Sequence, residues 1–397
     1  MAHADGPSQD DERALLDEIG KWLTRDVEPN VMRMEHADEY PIAFIERMKE
    51  FGLFGATISP EFGGLGLSTA GYARIVARIS ETWMSLTGFF NTHLLMSRIV
   101  EMHGTEHQKR YWLPRFASGE IRGAIGLTEP GGGTDLQSIR TRAKKIGNDR
   151  YAISGSKTWI TNGVEGGAVG LLVKTDPEAE PRHRGMSMFI APKADPETGI
   201  AYKGFRTGRK LPKLGYKGID SGELFFEDYE LDAERHLVGG IEGRGFHMAM
   251  SSLELGRINV AARGVGVARR ALTEALAYAQ GRETFGKPIA EHQAIQLKLA
   301  EMATRVRASE LLVEDAAAAF DAGRRSDMEA GMAKYFATEA ALENAIEAMR
   351  IHGGYGYSRD FPVERLYRDA PLLCIGEGTN EMQRIVIARQ LVARNPA

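Results

Sequence analysis

Apolar residues along the chain follow two different periods. In residues 11–122 they recur every three or four positions, as in Leu15, Ile19 and Leu23, which is typical of amphipathic helices. In residues 240–397 the same helical spacing returns in longer segments. These two regions are therefore predicted to be helical.

Residues 123–239 show the pattern of short strands. Gly, Pro and Asp interrupt the apolar stretches at short intervals, as turns do in an antiparallel sheet. The clearest predicted strands are Ala124–Leu127, Arg150–Ser154, Ala168–Lys174, Met186–Ala191 and Glu223–Phe226.

The three regions predict an α+β protein with several domains. An N-terminal α-helical domain is predicted at residues 11–122, a middle antiparallel β domain at 123–239 and a C-terminal α-helical domain at 240–397. Residues 1–10 are polar and are predicted to be a disordered tail. Because helices come before and after the strands and do not alternate with them, separate layers are expected, not βαβ units.

Charge and composition give no reason to expect nucleic acid as a partner. The 50 Lys and Arg residues nearly balance the 54 Asp and Glu residues, for a net charge of -4. The single cysteine, Cys374, excludes an internal disulfide and fits a reducing compartment. No apolar run approaches the ~20 residues that span a bilayer. The sequence thus predicts a cytoplasmic protein without membrane insertion, and the histidine spacing predicts no metal site.

The first candidate for chemistry is a glycine-rich stretch, Gly126–Asp135, with the sequence GLTEPGGGTD. Its main-chain N–H groups could approach an anion closely, and its threonines add neutral donors. The spacing differs from that of a dinucleotide fingerprint, and no βαβ pattern surrounds it. A plain turn is the alternative interpretation of this stretch.

A second candidate is Lys157–Gly163, with the sequence KTWITNG. Strand alternation places Trp159 and Thr161 on one face, where an aromatic ring and a hydroxyl would suit a flavin. A tryptophan packed in the core of a sheet is the alternative.

Two further candidates lie in the C-terminal region. Gly376–Arg384 places Glu377 between two glycines at the start of a helix, where a ligand could approach it. An acid that stabilises a helix N-terminus is the simpler interpretation. Arg282–Lys287, with the sequence RETFGK, is either a charged turn or an arginine and a threonine arranged for a pyrophosphate.

Together, these motifs closely resemble those of the acyl-CoA dehydrogenase family, over nearly the whole chain. Thr128–Asp135 matches the first family signature throughout. The second signature, from Arg350 to Asp369, matches at every defined position except the first, where the family has Gln or an acid. The resemblance implies a helical domain, a β-barrel or sheet domain and a C-terminal domain like a four-helix bundle.

The resemblance implies FAD as the cofactor, bound between two subunits. Within one chain it implies contacts from Leu127, Thr128, Gly133, Thr134, Trp159, Thr161, Thr379 and Glu381. From a neighbouring subunit it implies contacts from Arg282, Thr284, Phe285, Arg350 and Gly354. The protein is then expected to be a homo-oligomer, commonly a tetramer in this family.

The resemblance also implies the reaction, which is α,β-dehydrogenation of an acyl-CoA to the trans-2-enoyl-CoA. Glu377 matches the base that removes the α-proton, while flavin N5 takes the β-hydride and passes electrons to an electron-transfer flavoprotein. Some family members carry the base at the position of Gly256, which leaves Glu377 as the only candidate here. Substrate contacts are implied for Thr134, Phe246, Glu254, Arg257, Gly376 and Gly378.

Gly256 and Gly376 lack side chains where relatives have them, which suggests space for a branched or bulky acyl group. The alternative is that Phe89, Phe90 or Met96 fills this space, since protein cores are close-packed. An acyl-CoA oxidase and a non-catalytic FAD- or CoA-binding subunit are alternative functions. The presence of Glu377 and of both parts of the cofactor site argues against the non-catalytic subunit.

Overall fold

The computed structural model describes residues 6–396, which form a mixed sheet between two groups of helices. The α-helices are α1 Gln9–Trp22, α2 Val31–His36, α3 Ile42–Glu50, α4 Thr69–His103, α5 Glu106–Ala117, α6 Ala233–His236, α7 Gly245–Gly281, α8 Gln293–Asp321, α9 Asp327–His352, α10 Val363–Ile375 and α11 Asn380–Arg394. The strands are β1 Gly123–Gly126, β2 Arg142–Lys145, β3 Arg150–Thr161, β4 Ala168–Lys174, β5 Met186–Pro192, β6 Phe205–Lys210, β7 Ser221–Asp232, β8 Glu283–Thr284 and β9 Lys287–Pro288. The predicted fold class is confirmed.

The first helix begins earlier than predicted. Ser8 caps α1 by accepting a hydrogen bond from Asp11 N, and the Asp11 side chain accepts one from the Ser8 backbone. This capping box satisfies two donors at the start of the helix. A disordered tail reaching residue 10 is therefore wrong for Gln9 and Asp10, while residues 1–5 lie outside the described part of the chain.

The sheet of the middle region contains parallel as well as antiparallel pairs. Its strand order is β1-β4-β2-β3-β7-β6, and β5 pairs with β4 on the other side. Strand β4 runs parallel to β1 and β2 and antiparallel to β5. The purely antiparallel prediction fails for these pairs, because local turn signals do not determine which distant strands become neighbours.

Helices α4 and α7 run through the middle of the molecule and position the site. Gly264 and Gly266 of α7 have no room for a side chain, since a Cβ there would overlap backbone atoms of α9 and of α4. These two glycines therefore allow α7 to lie against both helices. Helix α4 is interrupted at Trp83, whose φ of -152° is not helical. Arg365 donates to the Thr82 carbonyl beside this kink at 3.0 Å.

His93 joins the helices of the N-terminal region to the sheet. Its Nε2 contacts the carbonyl oxygens of Phe54 and Phe116 at 3.0 Å each, and its Nδ1 accepts from Gly123 N at 2.8 Å. This pattern requires a neutral ring, and burial lowers the His93 pKa from 6.5 to about 4.

This contact predicts a loss of stability in acid. His93 takes up a proton near pH 6.5 in the unfolded chain but only near pH 4 in the folded chain. Its contribution to the free energy of unfolding is therefore present above pH 6.5 and is lost as the pH falls towards 4. At pH 5 the loss is about 2 kcal/mol. Urea unfolding at pH 7.5 and pH 5 should show a smaller acid-induced loss in His93→Gln than in the parent. The exposed His107, changed to Gln, is the control; equal losses in all three proteins would contradict the prediction.

Within residues 6–396, no helix is both long enough and apolar enough to cross a membrane.

Candidate active site

Glu377 lies on a tight turn between α10 and α11. Its φ is +57° and that of Gly378 is +85°, so two successive residues adopt left-handed conformations. Such a conformation is uncommon for a residue with a side chain and needs support from its surroundings. Thr379 caps α11 by accepting from Met382 N at 3.4 Å. The turn therefore connects the end of α10 to the start of α11.

Lys334 of α9 provides much of that support. Its ammonium is completely buried and donates to the carbonyls of Cys374 and Gly378 at 3.3 and 2.9 Å, and to Asn380 Oδ1 at 2.7 Å. The two carbonyls lie on either side of Glu377 in the sequence. From α11, Gln383 Nε2 donates to the Gly378 carbonyl at 3.1 Å. The turn is thus fixed from two helices.

The Glu377 carboxylate lies between α4 and α7. Asn91 Nδ2 of α4 donates to Glu377 Oε1 at 3.3 Å. A Cβ placed on Gly256 of α7 would lie 2.7 Å from Glu377 Oε2. The Glu377 carboxylate therefore lies directly beside Gly256, and room for a branched acyl group stays a prediction. A Cβ on Gly376 would meet only the Leu372 carbonyl, at 3.4 Å.

Burial raises the pKa of Glu377 above its ordinary value. The charges of Arg263, Lys334 and Arg257 oppose this, as does the Asn91 hydrogen bond, but the pKa remains raised. A carboxylate with a raised pKa is a stronger base than one in water. The residue as a whole is half-buried, whereas its carboxyl group lies deep among the helices.

Arg263 of α7 is a second buried charge near this carboxylate. Its Nη1 donates to Tyr216 Oη at 3.2 Å and its Nη2 to the Thr87 carbonyl at 3.3 Å. Tyr216 is held in turn by Asp369 Oδ1, which accepts from Tyr216 N at 2.6 Å. Gly88 admits the tyrosine, since a side chain at 88 would overlap its hydroxyl.

A first cleft, of about 520 Å³, lies at the glycine-rich motif. Its lining comprises Thr128, Glu129, Pro130, Gly131, Gly132, Gly133, Thr158, Trp159, Arg209, Leu211 and Glu223. Lys157 stabilises the motif by donating to the Leu127 carbonyl at 3.1 Å and to Glu129 Oε1 at 2.9 Å. Thr134 is exposed beside the cleft, and Thr161 is hydrogen-bonded to Ser221 at 3.4 Å.

Strand β3 is irregular at Trp159, although exposure still alternates from exposed Trp159 through buried Ile160 to half-buried Thr161. The pairing of β3 with β7 shifts between Lys157 and Ile160, and Trp159 has a φ of +59°. A bulge of this kind re-aims the side chain at the irregular position. Trp159 is 59% exposed and lines the first cleft, so it is not a core tryptophan of the sheet.

A second cleft, of about 510 Å³, lies among the C-terminal helices. Its lining includes Arg282, Thr284 and Gly354. These three residues are among those predicted to contact the FAD of a neighbouring subunit. Phe285, at the tip of the β8–β9 hairpin, is 97% exposed. Arg350 does not line this cleft and pairs instead with Glu347. Among the described residues, the two clefts share no lining side chain.

Three of the six residues predicted to contact substrate lie along the first half of α7. Glu254 Oε2 accepts from Ser326 Oγ at 3.2 Å, and burial raises the Glu254 pKa. Burial lowers the Arg257 pKa, while the charges of Glu254 and Asp327 raise it. Phe246 packs near the His183 ring at 5.8 Å. Glu381 lies in the first turn of α11, and its hydrogen bonds lower its pKa.

The structure adds three residues that the sequence did not indicate: Asn91, Lys334 and Arg263. Each reaches the site from a helix far from Glu377 in sequence; Asn91 is 286 residues away. Their only sequence signal is a polar residue within an apolar helix, and such residues also occur where a helix has no functional role.

Three potential metal ligands lie together elsewhere, in Glu35, His36 and Glu364. Arg368 donates to both carboxylates, so the group already forms an ion-pair network. The absence of a metal site stays a prediction.

Comparison with known proteins places the chain in a family. Three family models match in succession: the acyl-CoA dehydrogenase N-terminal domain at residues 9–120, the middle domain at 124–229 and the C-terminal domain at 243–392. The chain belongs to the acyl-CoA dehydrogenase family, a family of FAD-dependent oxidoreductases. The domain limits drawn from the sequence stay predictions.

Named relatives show both directions of the family's chemistry. The chain is 41% identical to an acyl-CoA dehydrogenase of Bacillus subtilis, over 94% of this chain and 96% of that protein. It is 36% identical to an acryloyl-CoA reductase (NADH) of Anaerotignum propionicum, over 96% and 95% of the two chains. The butyryl-CoA dehydrogenase structure from Megasphaera elsdenii is 33% identical, with a TM-score of 0.91, over 98% of this chain and all of that chain.

Proposed function

We propose that the protein is an FAD-dependent acyl-CoA dehydrogenase in which Glu377 removes the α-proton of the thioester. One observation carries this proposal. The Glu377 carboxylate has a raised pKa and is held on a left-handed turn, between α4 and α7 and beside Gly256. A weakly acidic C–H bond needs a base of this kind, held rigidly and shielded from water.

Several groups of the chain have roles in this reaction. Lys334 and Gln383 hold the turn, and Asn91 orients the carboxylate through Oε1. The other oxygen, Oε2, is the one that would take the proton. The backbone N–H of Glu377 is proposed to donate to the thioester oxygen, where negative charge develops as the proton leaves. Bound FAD would supply the acceptor for the β-hydride, which gives the trans-2-enoyl-CoA.

The residues present fit an FAD site built from two subunits. The first cleft has an exposed tryptophan and a glycine-rich main chain, which suit a flavin ring and its phosphates. The second cleft has Arg282 and Thr284, which suit a pyrophosphate. Since these clefts are separate in one chain, a homo-oligomer, proposed to be a tetramer, would bring one of each together. An electron-transfer flavoprotein is the proposed electron acceptor, and the cytoplasm the proposed location.

Arg282→Ala should weaken FAD retention and loosen the oligomer together, because one guanidinium would serve both the cofactor and the subunit contact. Flavin content after gel filtration and the mass of the eluted species measure the two effects. Arg307→Ala, which changes an exposed arginine of α8, is the matched control. An unchanged flavin content and an unchanged mass would contradict a shared site.

A reductase is the second candidate, because two relatives, a 3-(aryl)acrylate reductase and an acryloyl-CoA reductase (NADH), are named for that direction. Anaerobic mixing with a panel of saturated acyl-CoAs separates the two functions. A dehydrogenase loses its yellow flavin absorbance with at least one of them. If no saturated thioester bleaches the flavin, whereas an enoyl-CoA reoxidises the chemically reduced protein, the proposed direction is wrong.

A further inference from the structure

Helices α4 and α7 lie on either side of the Glu377 carboxylate. At this level they place Asn91 and Gly256 beside it. One turn back along α4 lies Thr87, and two turns further along α7 lies Arg263, on the same helix face as Gly256. The hydrogen bond from Arg263 to the Thr87 carbonyl connects the two helices there. Arg263 therefore lies about 10 Å from Gly256, measured along α7.

The Arg263 guanidinium has unused hydrogen-bonding capacity. Arg263 is only 5% exposed, and it uses two of its five N–H groups, on Tyr216 and Thr87. Its Nε is buried and has no partner. Within residues 6–396 it forms no ion pair with a carboxylate. A buried cation in this state is costly unless something else compensates its charge.

Polar groups also lie between Glu377 and Arg263. Asn259 Nδ2 donates to Tyr72 Oη at 2.7 Å, and Asn259 Oδ1 is buried without a partner. The charges of Arg263 and Glu377 both act on the pKa of Tyr72, so the Tyr72 hydroxyl lies near both of these residues. A purely hydrocarbon acyl chain beside them would leave Asn259 Oδ1 and Arg263 Nε without partners.

The charges around Glu377 leave room for a second anion. Three cations act on its carboxylate, namely Arg263, Lys334 and Arg257. Glu254 and Asp327 act on Arg257. In the described chain Arg263 has no carboxylate in ion-pair contact, whereas Glu339 and Glu381 act on Lys334 besides Glu377. Arg263 is therefore the cation left for a second anion.

We propose that Arg263 selects a short acyl group that ends in a carboxylate, so that the substrate is the CoA thioester of a dicarboxylic acid. The terminal carboxylate would accept hydrogen bonds from the free N–H groups of Arg263, while the α-carbon lies at Glu377. This inference rests on the proposed function, since it requires a thioester at that base.

The test compares pairs of acyl-CoAs of equal chain length, one ending in a methyl group and the other in a carboxylate. Anaerobic flavin bleaching gives kcat/KM for each in the parent, in Arg263→Met and in Arg263→Lys. The parent should prefer the carboxylate by about 10- to 100-fold at the best length, as expected for hydrogen bonds between charged groups. Arg263→Met should lose this preference, and Arg263→Lys should keep part of it. Arg269→Met, on the same helix but ion-paired at the surface, should keep it fully.

Each outcome has a distinct meaning. A parent protein that favours the methyl-ended chain at every length overturns the inference, even if the variants do not fold. A carboxylate preference that persists in Arg263→Met also overturns the inference, because another residue then binds the terminal carboxylate. If neither kind of thioester bleaches the flavin, the proposed dehydrogenase function itself fails.

Discussion

Glu377→Gln should bind flavin and acyl-CoA like the parent but reduce its flavin about 10²- to 10⁴-fold more slowly. The amide has nearly the same shape, and Asn91 can still donate to its oxygen, so the turn should keep its geometry. What the amide lacks is a lone pair basic enough to take the α-proton. Single-turnover bleaching under anaerobic conditions measures the loss directly, separately from substrate binding.

The pH dependence supplies an independent check of the same assignment. The base acts only when deprotonated, so the parent's reduction rate should fall as the pH drops through the raised pKa of Glu377. Glu343→Gln changes an exposed acid and should leave both the rate and its pH profile unchanged. Reduction by Glu377→Gln at the parent rate would place the base elsewhere.

Lys334→Met should give the second-largest effect, slowing flavin reduction by about 100-fold. The substitution keeps much of the volume but removes the donor shared by two carbonyls and Asn380. Buried acceptors left without a donor are costly, and the left-handed turn should relax away from its position. A shift of about 1 Å in a reacting group is enough to account for a loss of this size.

The same variant tests whether Lys334 acts through geometry and charge or only through stability. Removal of its positive charge should raise the Glu377 pKa further, so the pH profile should move to higher pH. Lys298→Met, which removes a lysine paired with Glu347 near the surface, is the control. A folded Lys334→Met with the parent's rate and profile would mean that the turn holds its shape unaided.

Local sequence pattern predicted the elements that carry their own signal. Strand β4 was predicted at Ala168–Lys174, and the structure has the same limits. It lies among three other strands, so its residues are apolar almost throughout and its ends are sharp. Glu377 was found because glycines, a capping threonine and a helix start surround it within a few residues, which matched the family motif.

Other parts of the site depend on tertiary packing and leave no local pattern. Asn91 and Lys334 are single polar residues in helices, and only the packing of α4 and α9 around the turn gives them their contacts. The bulge at Trp159 depends on the pairing of β3 with β7, which the local sequence does not specify. The parallel pairing of β1 with β4 depends on which strands meet after folding, which hydrophobic periodicity does not specify.

The close approach of Gly256 to Glu377 has an evolutionary consequence. A Cβ at 256 would lie 2.7 Å from Glu377 Oε2, so a side chain at 256 would require the carboxylate to move. If the base moved to position 256, as the resemblance indicates for some relatives, both sites would have to change. A substitution at 256 would displace the base and one at 377 would remove it, so we expect either change alone to slow proton removal. The effects of substitutions at these two positions are therefore expected to depend on each other.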